Sequence, residues 1–355
     1  MSKNNNLHAA KTAKNDEFYT RFDDINFEIN LAEHGYRPFF KDKVIYCNCD
    51  DPEESNFWKF FKARFNGLKL KKLISTHYDQ EGKSSYKLEY DGERVVKTEL
   101  EGDGDFRSPE CVELLKESDI VVTNPPFSLY REFVALLTKY DKKYVIWANN
   151  NSITYKEIFP LIKENKMWLG YTCNKTLSFA VPNDYRYDEK ETEKISDGKH
   201  YGKVPAISVF TNLDIPKRHE PMLLGWKFEK GLEMGIYQKY DNYDAYNVDK
   251  VCQIPRDYDG VLGVPITFLD KHCPEQFEIL NANDYRTSDN VPKKSHGLIK
   301  DKEGYIRERE QPMLESASRE LLAPGADGWH INGKRKYARI FVVLRHGFTP
   351  NNQGN

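Results

Sequence analysis

The chain has 355 residues, enough for one large or two ordinary domains with ample core, and its 53 basic residues are balanced by 55 acidic ones. That balance excludes a uniformly basic nucleic-acid coat but leaves room for a local basic cleft. No apolar run reaches the ~18–20 residues of a membrane span, the first residues show no signal-peptide pattern, and the six cysteines form no CxxC pair, which points to a reduced, cytoplasmic setting.

Residues 1–15 are polar, basic and rich in Asn and Lys, and are expected to form a flexible arm. Asp16-Glu-Phe-Tyr-Thr20 follows; taken alone it is a helix start or an edge segment. Residues 22–36 read as an amphipathic helix. Lys43-Val-Ile-Tyr-Cys-Asn-Cys-Asp50 is the first strand. Asp51-Pro52-Glu-Glu-Ser-Asn-Phe-Trp-Lys-Phe-Phe61 turns into a helix with Pro and acids in its first turn, where they suit the helix dipole. The intervening turn, Cys-Asn-Cys-Asp-Asp-Pro, contains no glycine and so does not fit the G-x-G-x-x-G cradle of a dinucleotide. Its carboxylates suit a sulfonium or ammonium group better than a pyrophosphate. Cys47 and Cys49 lie on opposite strand faces and read as small packing residues rather than metal ligands.

Lys71 to Tyr78 is a second strand ending at Asp79, a residue placed either to accept from a ribose hydroxyl or to sit solvated in a turn. His77, within that strand, reads as structural. Residues 84–100 form a hairpin about Asp91-Gly92. Glu101-Gly-Asp-Gly-Asp-Phe-Arg-Ser108 is a tight loop that sets the Asp105 carboxylate beside the Phe106 ring, as a ligand contact or as a plain turn. The ligand spacing of a calcium loop is absent. Pro109 to Lys116 is a helix.

The most informative stretch is Asp119-Ile-Val-Val-Thr-Asn-Pro-Pro-Phe127. Its apolar run reads as a buried parallel strand, and helical spacing resumes at Ser128, a candidate N-cap, up to residue 139. A polar and aromatic loop at the carboxyl end of such a strand is where ligands sit. Pro125 and Pro126 stiffen the loop and leave their carbonyls as acceptors. Asn124 adds an amide oxygen, and Phe127 a flat apolar face. Two acceptors beside a ring suit a planar base with an exocyclic amino group.

Lys143 to Ala148 is a further parallel strand, with Asn149-Asn-Asn-Ser152 as a polar rim at its end. A helix over 155–164 and a strand over 167–171 are expected to complete an alternating β/α series. Residues 183–203 read as an exposed loop, and 204–212 as the last strand. From about 213 the alternation gives way to an irregular pattern in which 260–269 and 276–280 stand out. Residues 283–330 read as a polar surface excursion. Gly333 to Leu344 reads as a basic turn feeding a strand, and in that turn Lys334, Arg335 and Lys336 either reach phosphates or are simply solvated.

Asn124-Pro-Pro-Phe127 resembles the catalytic motif of amino-group methyltransferases that use S-adenosylmethionine. Asp16-Glu-Phe-Tyr-Thr20 resembles the Phe-Tyr-Thr-Pro segment by which many adenine methyltransferases contact the cofactor's methionine part, with Asp16 in place of the glycine and Arg21 in place of the proline. Together with Tyr46-Cys-Asn-Cys-Asp-Asp-Pro52, Gly102-Asp-Gly-Asp-Phe-Arg-Ser108, Tyr240-Asp-Asn-Tyr-Asp-Ala245 and Gly263-Val-Pro-Ile-Thr-Phe-Leu-Asp-Lys271, these segments resemble the EcoRI-type adenine-specific DNA methyltransferases. The resemblance implies an α/β, Rossmann-like cofactor sheet over 16–212 and a target-recognition region over 213–355.

It further implies N6-methylation of adenine in double-stranded DNA by a monomer. Such an enzyme is the protective partner of a restriction endonuclease that acts on the same site without a stable complex. Catalysis then falls to Asn124, Pro125, Pro126 and Phe127. Cofactor binding falls to Tyr19, Thr20, Asn48, Cys49, Asp50, Asp79, Asp105, Phe106 and Asn124, and DNA binding to Lys334, Arg335 and Lys336. Two rivals are a methyltransferase of protein glutamine or an RNA base, and a catalytically silent DNA-binding relative. The first normally keeps a glycine-rich cofactor turn; intact Asn124, Phe127 and Asp105 argue against the second.

Overall fold

A computed structural model describes residues 19–30, 35–49, 51–79, 84–181, 192–194, 200–241, 244–282, 298–300, 306–308, 329–332, 334–336 and 339–345. The N-terminal arm, Asp16 to Phe18, Asp50 and most of the 283–330 excursion lie outside these residues. The chain divides into two compact units, one of residues 1–153 and 166–217, the other of 154–165 and 218–355.

The first unit is built on a mixed sheet with eleven strands among the described residues. In chain order its elements begin with β1 (Tyr19–Thr20), α1 (Phe22–Asn30), α2 (Arg37–Phe40), β2 (Val44–Cys47), α3 (Asn56–Leu68) and β3 (Lys72–His77). The hairpin β4 (Tyr86–Tyr90) and β5 (Val95–Glu99) follows, then α4 (Pro109–Glu117), β6 (Ile120–Thr123), α5 (Tyr130–Lys139) and β7 (Lys143–Asn149). The rest are β8 (Trp168–Leu169), β9 (Lys175–Val181), β10 (Thr192–Lys194) and β11 (His200–Thr211).

Strands β3, β2, β6 and β7 lie side by side and run parallel. Antiparallel neighbours extend the sheet at both sides: β4 and β5 beyond β3, and β11, β9 and β1 beyond β7. The apolar runs explain the parallel centre, since all four residues of β2 and of β6 are buried. From β2 the chain moves to β3 on one side and later returns to β6 on the other. The carboxyl ends of these three strands therefore point the same way and open a crevice at the reversal of strand order.

Helix α3 starts at Asn56 rather than at Pro52. Ser55 caps it by accepting from Phe57 N, and no acid lies in its first turn. Glu53 and Glu54 instead belong to a turn held by Asp51, whose carboxylate accepts from Glu53 N at 3.0 Å. Lys69 ends the helix with φ 54°, its N–H returning to the Asn66 and Phe65 carbonyls. The helix buries Phe57, Trp58, Phe60, Phe61 and Phe65 in the core, with edge-on ring pairs Phe57–Trp147 at 5.0 Å and Phe40–Phe61 at 5.4 Å. Helix α4 matches its expected start, with Pro109 following the Ser108 cap.

Four further expectations are corrected. The stretch 183–203, read as an exposed loop, contains β10 and the first residues of β11, which pair with each other. Helix α5 begins at Tyr130 with Leu129 as its capping residue and no side-chain cap, so Ser128 is not its N-cap. The β/α alternation stops at β7, because β8 pairs antiparallel with β11 instead of adding a parallel strand. The helix expected at 155–164 shortens to α6 (Phe159–Lys163), which belongs to the second unit.

The second unit is not irregular throughout. It carries α7 (Phe228–Glu233) and a five-stranded sheet in the order β12 (Gln238–Lys239), β13 (Ala245–Asn247), β14 (Val261–Pro265), β20 (Arg339–Leu344) and β15 (Phe277–Ala282). Two small pairs lie between β15 and β20 in sequence: β16 (Leu298–Lys300) with β17 (Ile306–Glu308), and β18 (Trp329–Ile331) with β19 (Lys334–Lys336). Among the described residues no helix is long and apolar enough to cross a membrane.

Candidate active site

The register places Tyr46 opposite Val121, so the residues leaving β2 and β6 emerge side by side. Thr123 Oγ1 donates to the Asn48 carbonyl and fastens the start of the tetrapeptide to the turn after β2. Ser75 Oγ donates to the Cys47 carbonyl at 2.6 Å from the other flank. Cys49 takes φ 73°, the left-handed conformation that favours glycine, so the turn closes tightly without one. Asp51 continues it, accepting from Tyr86 Oη at 2.8 Å and standing 3.6 Å from His77 Nδ1.

Asn48 is 2% exposed and Thr20 1%, and the side-chain oxygens of both, Asn48 Oδ1 and Thr20 Oγ1, have no hydrogen-bond partner. Buried polar atoms are normally satisfied, so these two oxygens are acceptors with capacity to spare. Asn56, at the start of α3, donates from Nδ2 to the Thr20 carbonyl at 2.8 Å and holds β1 against this turn. Tyr19 is partly buried beside Thr20 on the same strand.

The loop after β5 packs on the end of β3. Asp79 N donates to the Asp103 carbonyl at 2.9 Å, and the Asp79 carboxylate accepts from Ser84 N and Oγ at 2.9 and 2.8 Å. Gly104 has φ 79°, and a Cβ there would stand 2.2 Å from the His77 carbonyl oxygen. Gly104→Ala is therefore expected to cost more than the ~1–2 kcal/mol of a left-handed backbone alone. It should also displace Asp105; urea unfolding and titration with a cofactor analogue would register both effects. Beyond the glycine, Arg107 grips the Asp105 carboxylate from Nε at 2.9 Å and Nη2 at 2.7 Å. Phe106 is 6% exposed and meets Phe133 of α5 edge-on at 5.1 Å.

At the centre, Asn124, Pro125 and Pro126 are buried and Phe127 is partly exposed, its ring packed against the main core. The Pro126 carbonyl accepts from Leu129 N at 3.0 Å, which turns the chain into α5. Asn48 and Cys49 are thus tied to the tetrapeptide through Thr123, the loop of Asp105 is tied to Asp79 at the end of β3, and Thr20 is tied to the start of α3. Sequence reasoning did not single out Thr123, Asn56 or Arg107. Only Asp105, two residues before it, is a sequence signal for a partner of Arg107.

In the second unit, β19 carries Lys334, Arg335 and Lys336; the side chains of the first two lie outside the described residues. Lys336 Nζ stands 3.5 Å from Asp249 Oδ1, and Arg339 reaches the same carboxylate at 3.1 Å and Asn247 Oδ1 at 3.0 Å. The Asn247 hydrogen bond, aided by these cations, holds the Asp249 carboxyl below its usual range.

Residues 6–345 match the family described as "Adenine-specific methyltransferase EcoRI", which sets the class as an adenine-specific methyltransferase. The Escherichia coli protein "Type II methyltransferase M.EcoRI" is 50% identical in a match covering 77% of this chain and 88% of that protein. "Type II methyltransferase M.MpnI" of Mycoplasma pneumoniae is 39% identical over 96% of this chain and 98% of its own length. "Type II methyltransferase M.MgeORF184P" of Mycoplasma genitalium is 39% identical over 95% and 98%. No solved structure matches. The chain belongs to the EcoRI family of adenine-specific DNA methyltransferases, the type II methyltransferases of restriction–modification systems.

Proposed function

We propose that the crevice at the ends of β2, β3 and β6 binds S-adenosylmethionine and that the Asn124–Phe127 loop presents the N6 amino group of a flipped-out adenine to it. The observation that supports this most is the link from Thr123 to the Asn48 carbonyl beside the orphaned Asn48 Oδ1 and Thr20 Oγ1. The donor set fits the group. Thr20 and Asn48 offer oxygens to the methionine ammonium or ribose hydroxyls, with Tyr19, Cys49 and Asp79 beside them; Asp50, expected to join them, lies outside the described residues. Asp105 would accept a hydrogen bond from the adenine amino group of the cofactor, and Phe106 would supply an apolar face to its ring. The sheet is then a Rossmann-like one, with its ligand at the point where strand order reverses. When bound, the cofactor supplies a methyl group on a positively charged sulfonium.

The chain's own work is positioning. An aromatic amine is a poor nucleophile because its lone pair is delocalised into the ring. Asn124 Oδ1 and the Pro125 carbonyl accept the two N6 hydrogens and draw the lone pair toward the methyl donor, so no base is needed before attack. Pro126 fixes the course of the loop. The target base must leave its duplex, at a cost of a few kcal/mol, and Phe127 offsets part of that by stacking. Phe127→Ala is expected to weaken retention of the extrahelical base by ~1–3 kcal/mol per stacked base. The fluorescence of 2-aminopurine at the target position would read this; unchanged fluorescence would remove Phe127 from the base pocket.

The second unit reads the target site, with Lys334, Arg335 and Lys336 toward phosphates. The enzyme acts as a monomer in the cytoplasm, protecting sites from an endonuclease it does not stably bind. Incubating the protein with labelled S-adenosylmethionine and varied duplexes tests the whole reading: label should enter DNA as N6-methyladenine at one sequence. Label in cytosine or in protein would overturn it.

A further inference from the structure

Arg107 lies between the loop of Asp105 and the helix that leaves the tetrapeptide. Its Nε and Nη2 form a fork on the Asp105 carboxylate at 2.9 and 2.7 Å, and its backbone N–H reaches Asp105 Oδ1 at 2.8 Å. Its Nη1 points the other way, to Glu132 of α5 at 2.6 Å. The Asp105 side chain is only 18% exposed, whereas Arg107 is 43% and Glu132 56% exposed. The fork is thus partly sheltered and the Glu132 contact is open to solvent. A planar guanidinium locks a carboxylate in one orientation as no lysine can. Gly104, pinned under the His77 carbonyl, leaves the loop backbone little room to re-aim Asp105 if that lock is lost.

We propose that Arg107 is a positioning residue that aims the Asp105 carboxylate at the adenine amino group of the cofactor, with Glu132 steadying the guanidinium from α5. The inference rests on the assignment of Asp105 above. Arg107 touches neither substrate nor cofactor in this role; it acts through Asp105. What it sets is discrimination between a 6-amino and a 6-oxo purine, because a fixed carboxylate attracts an amino donor and repels a carbonyl.

The test is titration of the full-length protein with S-adenosylhomocysteine and with S-inosylhomocysteine, which carries a carbonyl in place of the amino group. The unsubstituted protein should prefer the first by at least about tenfold, as expected for a hydrogen bond to a charged acceptor. Asp105→Asn should reduce that preference to about twofold or less. Arg107→Met should erode it several-fold, and Arg107→Lys, a milder change that keeps the charge, should fail to restore it. Glu132→Gln should erode it less, because its contact is exposed.

Equal losses of affinity for both ligands in the Arg107 variants, with the preference intact, would make Arg107 a merely structural residue and overturn the inference. In that case a lost preference in Asp105→Asn would leave the Asp105 assignment standing. If the unsubstituted protein shows no preference, the Asp105 assignment falls and the inference falls with it.

Discussion

Asn124→Ala is expected to lower the single-turnover rate of methyl transfer by about 10²–10³-fold, the usual effect of deleting one preorganised polar group at a reacting centre. The loop has anchors other than this side chain. Thr123 anchors it to the Asn48 carbonyl, two prolines fix its course, and Pro126 leads into α5 through Leu129. The truncation should therefore remove an acceptor without releasing the backbone, and affinities for cofactor and duplex should change only several-fold. Asn124→Asp, which keeps an oxygen at that position, should retain more of the rate than alanine does. Rates at saturating enzyme on a short duplex decide the matter, and an undiminished rate in Asn124→Ala would remove it from catalysis.

The second large effect is on stability and arises away from the crevice. Glu28 of α1 is fully buried, and its carboxylate accepts from Tyr36 Oη and Tyr171 N, both at 2.8 Å, and from Thr172 N. Gly170 leaves room for this, since a Cβ there would stand 2.2 Å from Glu28 Oε1. Glu28→Ala strands one hydroxyl and two backbone N–H groups without an acceptor. At about 1–3 kcal/mol for each buried orphan, partly offset by relaxation, the expected loss is about 3–5 kcal/mol in urea unfolding.

Burial also pushes the Glu28 carboxyl above its ordinary value. A native value above the unfolded one means that the folded protein holds this proton more tightly. The contribution of Glu28 is thus fully present below the ordinary carboxylate range and declines as pH rises through the raised value. Glu28→Gln should flatten that slope. A loss below 1 kcal/mol in the alanine variant would show that water or a shifted loop satisfies the three donors.

Much of the first unit was legible because its central strands are apolar on both faces. Ile120 to Val122 read as a buried parallel strand at once and Lys43 to Asp50 as the first strand, and Asn124 follows just after the former. The turn after β2 was legible in position but not in mechanism: without glycine, nothing in the chain announces that Cys49 adopts the left-handed conformation. Likewise Asp51 and Ser55 are both good capping residues, and only the folded chain shows that Asp51 closes a separate turn while Ser55 starts α3. Strand β9 is absent from the sequence expectations because its alternation breaks at Ala180, between Phe179 and Val181, and its partners β11 and β1 lie far from it in the chain or are only two residues long. The last strand, β20, was legible at the end of the basic turn, but the second sheet as a sheet escaped because its other strands are short and lie far from β20 in the chain. That the Asp105 carboxylate is already gripped by Arg107 is a matter of rotamers, which sequence does not encode at this range.

The pairing of β1 with β9 bears on how the protein is made. Tyr19 and Thr20 leave the ribosome early, yet the strand they hydrogen-bond to ends at Val181. A nascent chain stalled before that point has its parallel centre but no seat for its first strand, and closing so long a loop is slow in topological terms. Adding methyl donor to the growing chain should accordingly give no protection from protease until β9 has emerged.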